Sequence, residues 1–222
     1  KGTIAGDGSL VLKVYFKQQF TVTYEPGTHG TFPSQKKENL DYGTATPGFE
    51  GETTGDAGYA FAGWAPEVAE TVTGNATYTA QWKANEDTKY TVEYYYQNED
   101  GSDPTSTNMK REDRGTTDTR ADVTDGDKTP AEAGYVFDAA NGSNDLSGTI
   151  AGNGSLVLKV YFKLQFTVTY KPGTQGTFED QKTENLDYGT ETPAFEGTPS
   201  GNAGYTFAGW TPSVAGTVTR NA

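Results

Sequence analysis

One histidine, no cysteine and thirty acidic residues bound the chemistry open to this 222-residue chain. A nucleophilic triad or a histidine metal site would have to use His29, in the turn-like stretch PGTHGT. A near-copy of that stretch, PGTQGT, carries Gln175 instead, so His29 reads as an exposed turn residue. Without cysteine there is no disulfide framework and no thiolate metal site. Carboxylates crowd three segments: NEDGSD at 98–103, REDR at 111–114 and DVTDGD at 122–127. Paired carboxylates can do acid–base chemistry across a cleft. These lie in turn-rich sequence, where Asp, Asn and Gly are favoured for backbone reasons. Asp122, Asp125 and Asp127 are the best-grouped oxygens for calcium, but no segment follows D-x-[DN]-x-[DN]-G. GTIAGDGSL and GTIAGNGSL are Gly-rich without the GK[ST] of a phosphate loop, and Asp7-Gly8 and Asn153-Gly154 read as turns before a strand. The expectation is no catalytic residue, no metal and no cofactor. The remaining candidates are aromatic. Tyr95, Tyr161 and its repeat copy Tyr15 alternate with apolar residues and so point away from them. An outward tyrosine offers a flat apolar face to a sugar ring; the plainer role is a cross-strand pair.

A net charge of −13 repels phosphate backbones, which excludes nucleic acid as a partner. Lys110, Arg111, Arg114 and Arg120 make one local basic stretch. No apolar run approaches the roughly 18 residues of a membrane span, so membrane insertion is not expected. Signal-peptide, lipidation and sorting motifs are missing. Short aromatic and β-branched runs, broken by Gly, Asp, Asn and Pro, read as a β-rich chain.

The elements that would hold these residues repeat. Residues 1–76 align without gaps to 147–222, and roughly three quarters of the positions are identical. A shorter signature subdivides the unit: AGYAF at 57–61, AGYVF at 133–137 and AGYTF at 203–207. An alternating strand precedes each one: FTVTY at 20–24, YTVEYYY at 90–96 and FTVTY at 166–170. ATYTAQW at 76–82 follows the first, and LVLKVYF at 156–162 follows the second. Two module types therefore alternate. Type A runs over 18–84, type B over 85–164, and a second A over 165–222. Residues 1–17 match the closing strand of a B module, and the second A stops before its counterpart of TYTAQW. The sequence thus reads as an internal piece of a longer chain.

Alternation also predicts the core. Leu156, Leu158, Val160 and Phe162 share one face, as do Val92, Tyr94 and Tyr96, and Phe20, Val22 and Tyr24. Tyr59, Phe61, Trp64 and Trp82 are expected to pack with the last set. TPAEAG at 129–134 carries the caps of a single helical turn. From B to A the alternation runs on without a break, which predicts a nearly continuous, stiff strand. From A to B, KANEDTK at 83–89 reads as a longer polar link.

FTVTYEPGTHGTF, YGTATP, GYAFAGW and TGNATYTAQW resemble the Listeria–Bacteroides repeat, also called the internalin B-repeat. YTVEYYYQNEDGS, AGYVF, LSGTI and GNGSLVLKVYF resemble the MucBP, or mucin-binding protein, domain. The resemblance implies a β-rich α+β fold: tandem β-grasp (ubiquitin-like) modules with little helix, arranged as an elongated string. The strands of Tyr95 and Tyr161 would then lie side by side. It further implies a secreted, extracellular adhesin on a bacterial cell surface, attached to the cell wall through regions outside this sequence. Two functions follow as expectations. The array is a non-enzymatic stalk that projects a distal binding region, with neighbouring repeats of the same chain as its partners. Alternatively, module B binds host mucin or other glycoprotein glycans itself, and repetition adds avidity.

Overall fold

The computed structural model describes residues 2–4 and 6–222, and among them the chain is all β with no helix. It divides into two compact units, residues 1–85 and 86–222. In the first unit the strands are β1 (Gln19–Glu25), β2 (Gly30–Thr31), β3 (Gln35–Asp41), β4 (Thr54–Gly55), β5 (Tyr59–Ala65) and β6 (Ala76–Ala84). Four of them form a mixed sheet in the order β3-β1-β6-β5. The central pair β1 and β6 is parallel, with Tyr24 opposite Tyr78, and both outer pairings are antiparallel. Val22, Tyr24, Val72 and Tyr78 are buried together, with Phe20, Leu40, Phe49 and Trp64 packed around them. The expected inward set of β1 is thus the core. Trp82 lies further along β6 on the same face as Tyr78 and Ala80, and its ring contacts Phe61 rather than Tyr24.

The second unit continues with β7 (Thr88–Tyr96), β8 (Met109–Gly115), β9 (Arg120–Asp122), β10 (Tyr135–Phe137), β11 (Ser147–Thr149), β12 (Val157–Tyr170) and β13 (Gln181–Asp187). Its main sheet has the order β10-β12-β7-β8, again with a parallel central pair. Val92, Tyr94, Tyr96, Leu158, Val160 and Phe162 are all buried, as their alternation requires. A separate cluster forms around Phe166, Val168, Tyr170 and Val218.

Both clusters hang on one strand. β12 is fourteen residues long; its first half pairs with β7 and its second half with β13. The boundary expected at 164/165 therefore falls inside a continuous strand, as the unbroken alternation implied. Around it the two cores are clamped. The Leu164 N–H donates to Gln97 Oε1 at 3.1 Å and the Gln165 N–H to the Gly134 carbonyl at 2.8 Å. Lys163 pairs with Asp187 on β13. The Tyr188 ring lies over Gly101, so closely that a methyl group there would sit 2.3 Å from it. Gly101 also has φ +79°, a conformation that side chains resist.

Two expectations need correction. The helical turn at 129–134 does not form. The Ala131 N–H donates to the Tyr96 hydroxyl at 3.0 Å instead of closing a helix. The capped turn lies one step upstream, where i to i+3 bonds close residues 124–129. Thr124 and Asp127 cap each other's N–H there. The fold is accordingly all β rather than α+β. Second, residues 111–114 are not a turn-rich loop but lie in β8, a polar edge strand.

Candidate functional site

The register of β7 and β12 sets Tyr95 directly opposite Tyr161. Their rings stack with centroids 4.5 Å apart and planes within 7°. Each ring thus covers one face of the other. Both side chains are half-buried. The Tyr95 hydroxyl donates to Glu93 Oε2 at 2.7 Å, and Lys110 on β8 pairs with Glu93 Oε1 at 2.5 Å. The hydrogen bonds from Lys110 and Tyr95 hold the Glu93 carboxyl below its ordinary range. The same bond to Glu93, with burial second, pushes the Tyr95 phenol up to about 12. Tyr95 is therefore a neutral donor at any physiological pH.

On the Tyr161 side a turn crosses the sheet. The Asn144 side-chain oxygen accepts from the Tyr161 N–H at 2.9 Å, and the Asp138 N–H donates to the Tyr161 carbonyl at 2.9 Å. Asn141 reaches Asp103 at 3.2 Å, tying this turn to the 98–103 segment. Burial, then the nearby Asp103 charge, raises the Tyr161 phenol as well. Geometry of this kind is what a cross-strand pair needs: the bond to Glu93 fixes the Tyr95 ring, and the turn fixes the Tyr161 backbone. Tyr15, the repeat copy of Tyr161, is 85% exposed and lies outside any strand.

The three aspartates offered for calcium do not converge. Asp127 is 4% exposed and points inward. Its carboxylate accepts from the Tyr94 hydroxyl at 2.5 Å, the Thr124 N–H at 2.7 Å and Arg111 at 2.8 Å. Burial pushes this carboxyl up, but the bonds from Tyr94, Thr124 and Arg111 outweigh it and hold it low. Asp122 pairs with Arg120 at 2.7 Å, and Asp125 faces solvent. Among the described residues no group of three or more acidic or histidine side chains is placed to hold a metal.

The local basic stretch is neutralised in the same way. Lys110 pairs with Glu93, Arg111 with Asp113 and Asp127, Arg114 with Asp87, and Arg120 with Asp122. His29 is half-buried rather than an exposed turn residue. Its ring lies flat on Tyr59 with centroids 4.0 Å apart and planes within 1°. The sequence reading missed the Tyr94–Arg111–Asp127 network. Its signal was present: Thr124-x-x-Asp127 has the spacing of a capping box. Compared with family models and with curated proteins, the chain matches none.

Proposed function

We propose that this chain is a non-enzymatic repeat segment of a bacterial cell-surface adhesin, a stalk that holds a distal binding region away from the cell wall. In this reading its modules are of the B-repeat and MucBP types, each a β-grasp that dispenses with the helix. Support for the fold comes from the strand order. Both main sheets, one of four strands and one of five, put the first and the closing strand of a module side by side in the interior, parallel to each other.

The stalk reading rests on β12. A spacer must carry direction from one module to the next, and a flexible linker would lose it. Here a single strand belongs to both cores, and Gln97, Lys163–Asp187 and Tyr188 brace the join on the flanking strands and turns. The test is solution NMR of the full chain in a weakly aligning medium. Amides of Thr88–Phe162 and of Phe166–Asp187 are expected to fit one alignment tensor. Two independent tensors would remove the basis for a stalk.

A second reading keeps the Tyr95–Tyr161 pair as a glycan contact, because the stacked rings are only half-buried and Glu93 fixes the Tyr95 hydroxyl. It requires binding to immobilised mucin that is lost on deglycosylation and in the Tyr95→Ala, Tyr161→Ala double variant. Binding that survives both changes refutes it.

A further inference from the structure

Tyr95 and Tyr161 stack across the parallel pair β7 and β12, in the interior of the second unit's main sheet. Their rings lie 4.5 Å apart at the centroids and within 7° of parallel, and both are half-buried. Two other tyrosine pairs are in contact, and they differ. Tyr24 and Tyr78 are 1% and 3% exposed, so neither ring meets solvent. Tyr96 and Tyr135 meet edge-on at 88°, and Tyr96 is 4% exposed. Of the three, the Tyr95–Tyr161 pair alone combines parallel rings with access from solvent.

A proton acceptor is already in place beside this pair. The Tyr95 hydroxyl donates to Glu93 Oε2 at 2.7 Å, and Lys110 holds the other carboxylate oxygen. The bonds from Lys110 and Tyr95 keep the Glu93 carboxyl ionised at neutral pH. A phenol that loses an electron becomes a strong acid, and a carboxylate within hydrogen-bond reach takes its proton without rearrangement. The Tyr161 phenol, half-buried at the sheet surface, releases its proton to solvent.

We propose that Tyr95 and Tyr161 form a dityrosine cross-link under one-electron oxidation, with Glu93 as the proton acceptor for Tyr95. The oxidant is external to the chain: hydrogen peroxide acting through a haem peroxidase. Each phenol gives up one electron and one proton. The two phenoxyl radicals join through ring carbons ortho to their hydroxyls, and each ring then moves its ortho proton to oxygen and recovers aromaticity. Two tyrosines and one hydrogen peroxide thus give one dityrosine and two waters. The chain has no cysteine for a disulfide, and this bond takes that place. It ties the first strand of its module to the closing strand and closes residues 96–160 into a loop. Tension along the chain then bypasses that loop, and the unfolded chain is constrained as by any cross-link.

The test treats the full chain at low concentration with peroxidase and hydrogen peroxide. Products are read by dityrosine fluorescence, intact mass and tryptic peptide mapping. Mapping uses a Tyr15→Phe background, because the peptide VYFK occurs at both 14–17 and 160–163. The monomer is expected to lose the mass of two hydrogens, at a rate independent of protein concentration. Residues 160–163 should be recovered joined to 90–110. Tyr95→Phe and Tyr161→Phe, which keep the stacked rings, should each abolish the monomer's dityrosine. Glu93→Gln should slow its formation several-fold. Dityrosine found only in covalent oligomers, or in a monomer joined at other peptides, overturns the proposal. So does a yield that survives Tyr95→Phe or Tyr161→Phe. An unchanged rate in Glu93→Gln overturns the part assigned to Glu93.

Discussion

The join between the two cores of the second unit can be weighed with an internal control. Tyr188 and its repeat copy Tyr42 make the same contact inside their own modules: each ring lies 6.4 Å from Phe166 or Phe20, tilted by 57° or 56°. They differ in what lies beyond. Tyr42 is 70% exposed, whereas Tyr188, set over Gly101, is 37% exposed. The extra burial is about a third of a tyrosine's surface, or roughly 75 Å². At about 25 cal/mol per Å² it stabilises the join by at most about 2 kcal/mol. Tyr188→Ala should therefore destabilise the second unit by about 2 kcal/mol more than Tyr42→Ala destabilises the first. That difference corresponds to a fall of about 4–8 °C in Tm. Hydrogen exchange read by mass spectrometry separates the units: in Tyr188→Ala, amides of residues 98–101 and 181–187 lose protection together. Equal cost at the two positions, or loss confined to 181–187, would refute the reasoning.

Asp127→Ala removes the acceptor of Tyr94, Thr124 and Arg111 at once. With Arg111 discounted for its access to water, the loss should be about 3 kcal/mol in urea unfolding. Asp127→Asn, which keeps one acceptor oxygen for the Thr124 N–H but replaces the oxygen facing Tyr94 and Arg111 with an amide NH2, should lose less than Asp127→Ala. The pH dependence has a defined sign. Glu93, Asp113, Asp127 and Asp187 all titrate below their ordinary values in the fold. Their contribution is complete above the unfolded carboxyl range near about 4, and is lost as the pH falls through the folded values. Thermal scans should show a flat Tm from pH 6 to 8 and a drop below about pH 4, shallower in Asp127→Asn.

Alternation made the buried strands legible. Val92, Tyr94 and Tyr96, and Leu158, Val160 and Phe162, are a period-two pattern with one possible inward face, and the same logic carried through Lys163–Gln165 to give β12. Polar edge strands were not legible. KREDR in β8 and QKKENLD in β3 have no apolar period, because an edge strand faces water and is kept charged. The helical turn failed for a different reason. TPAEAG has good local caps, but a tertiary partner, the Tyr96 hydroxyl, takes the Ala131 N–H. At the candidate site, the outward direction of Tyr95 and Tyr161 followed from sequence. The stacking that covers one face of each ring depends on the register between distant strands, which sequence spacing does not contain.

The stalk reading depends most on how the sheets meet load. β7 and β12 are the first and closing strands of their module, parallel and paired from Thr91–Val157 to Tyr96–Phe162. Tension applied along them loads these hydrogen bonds together, whereas tension applied across the β7–β8 pair opens its bonds one at a time. Single-molecule pulling of the full chain tests this directly, with handles on introduced cysteines, since the chain has none of its own. Handles at Lys89 and Lys163 should give a clearly higher unfolding force than handles at Lys89 and Arg114. Equal forces, or a lower force in the first geometry, would contradict the account.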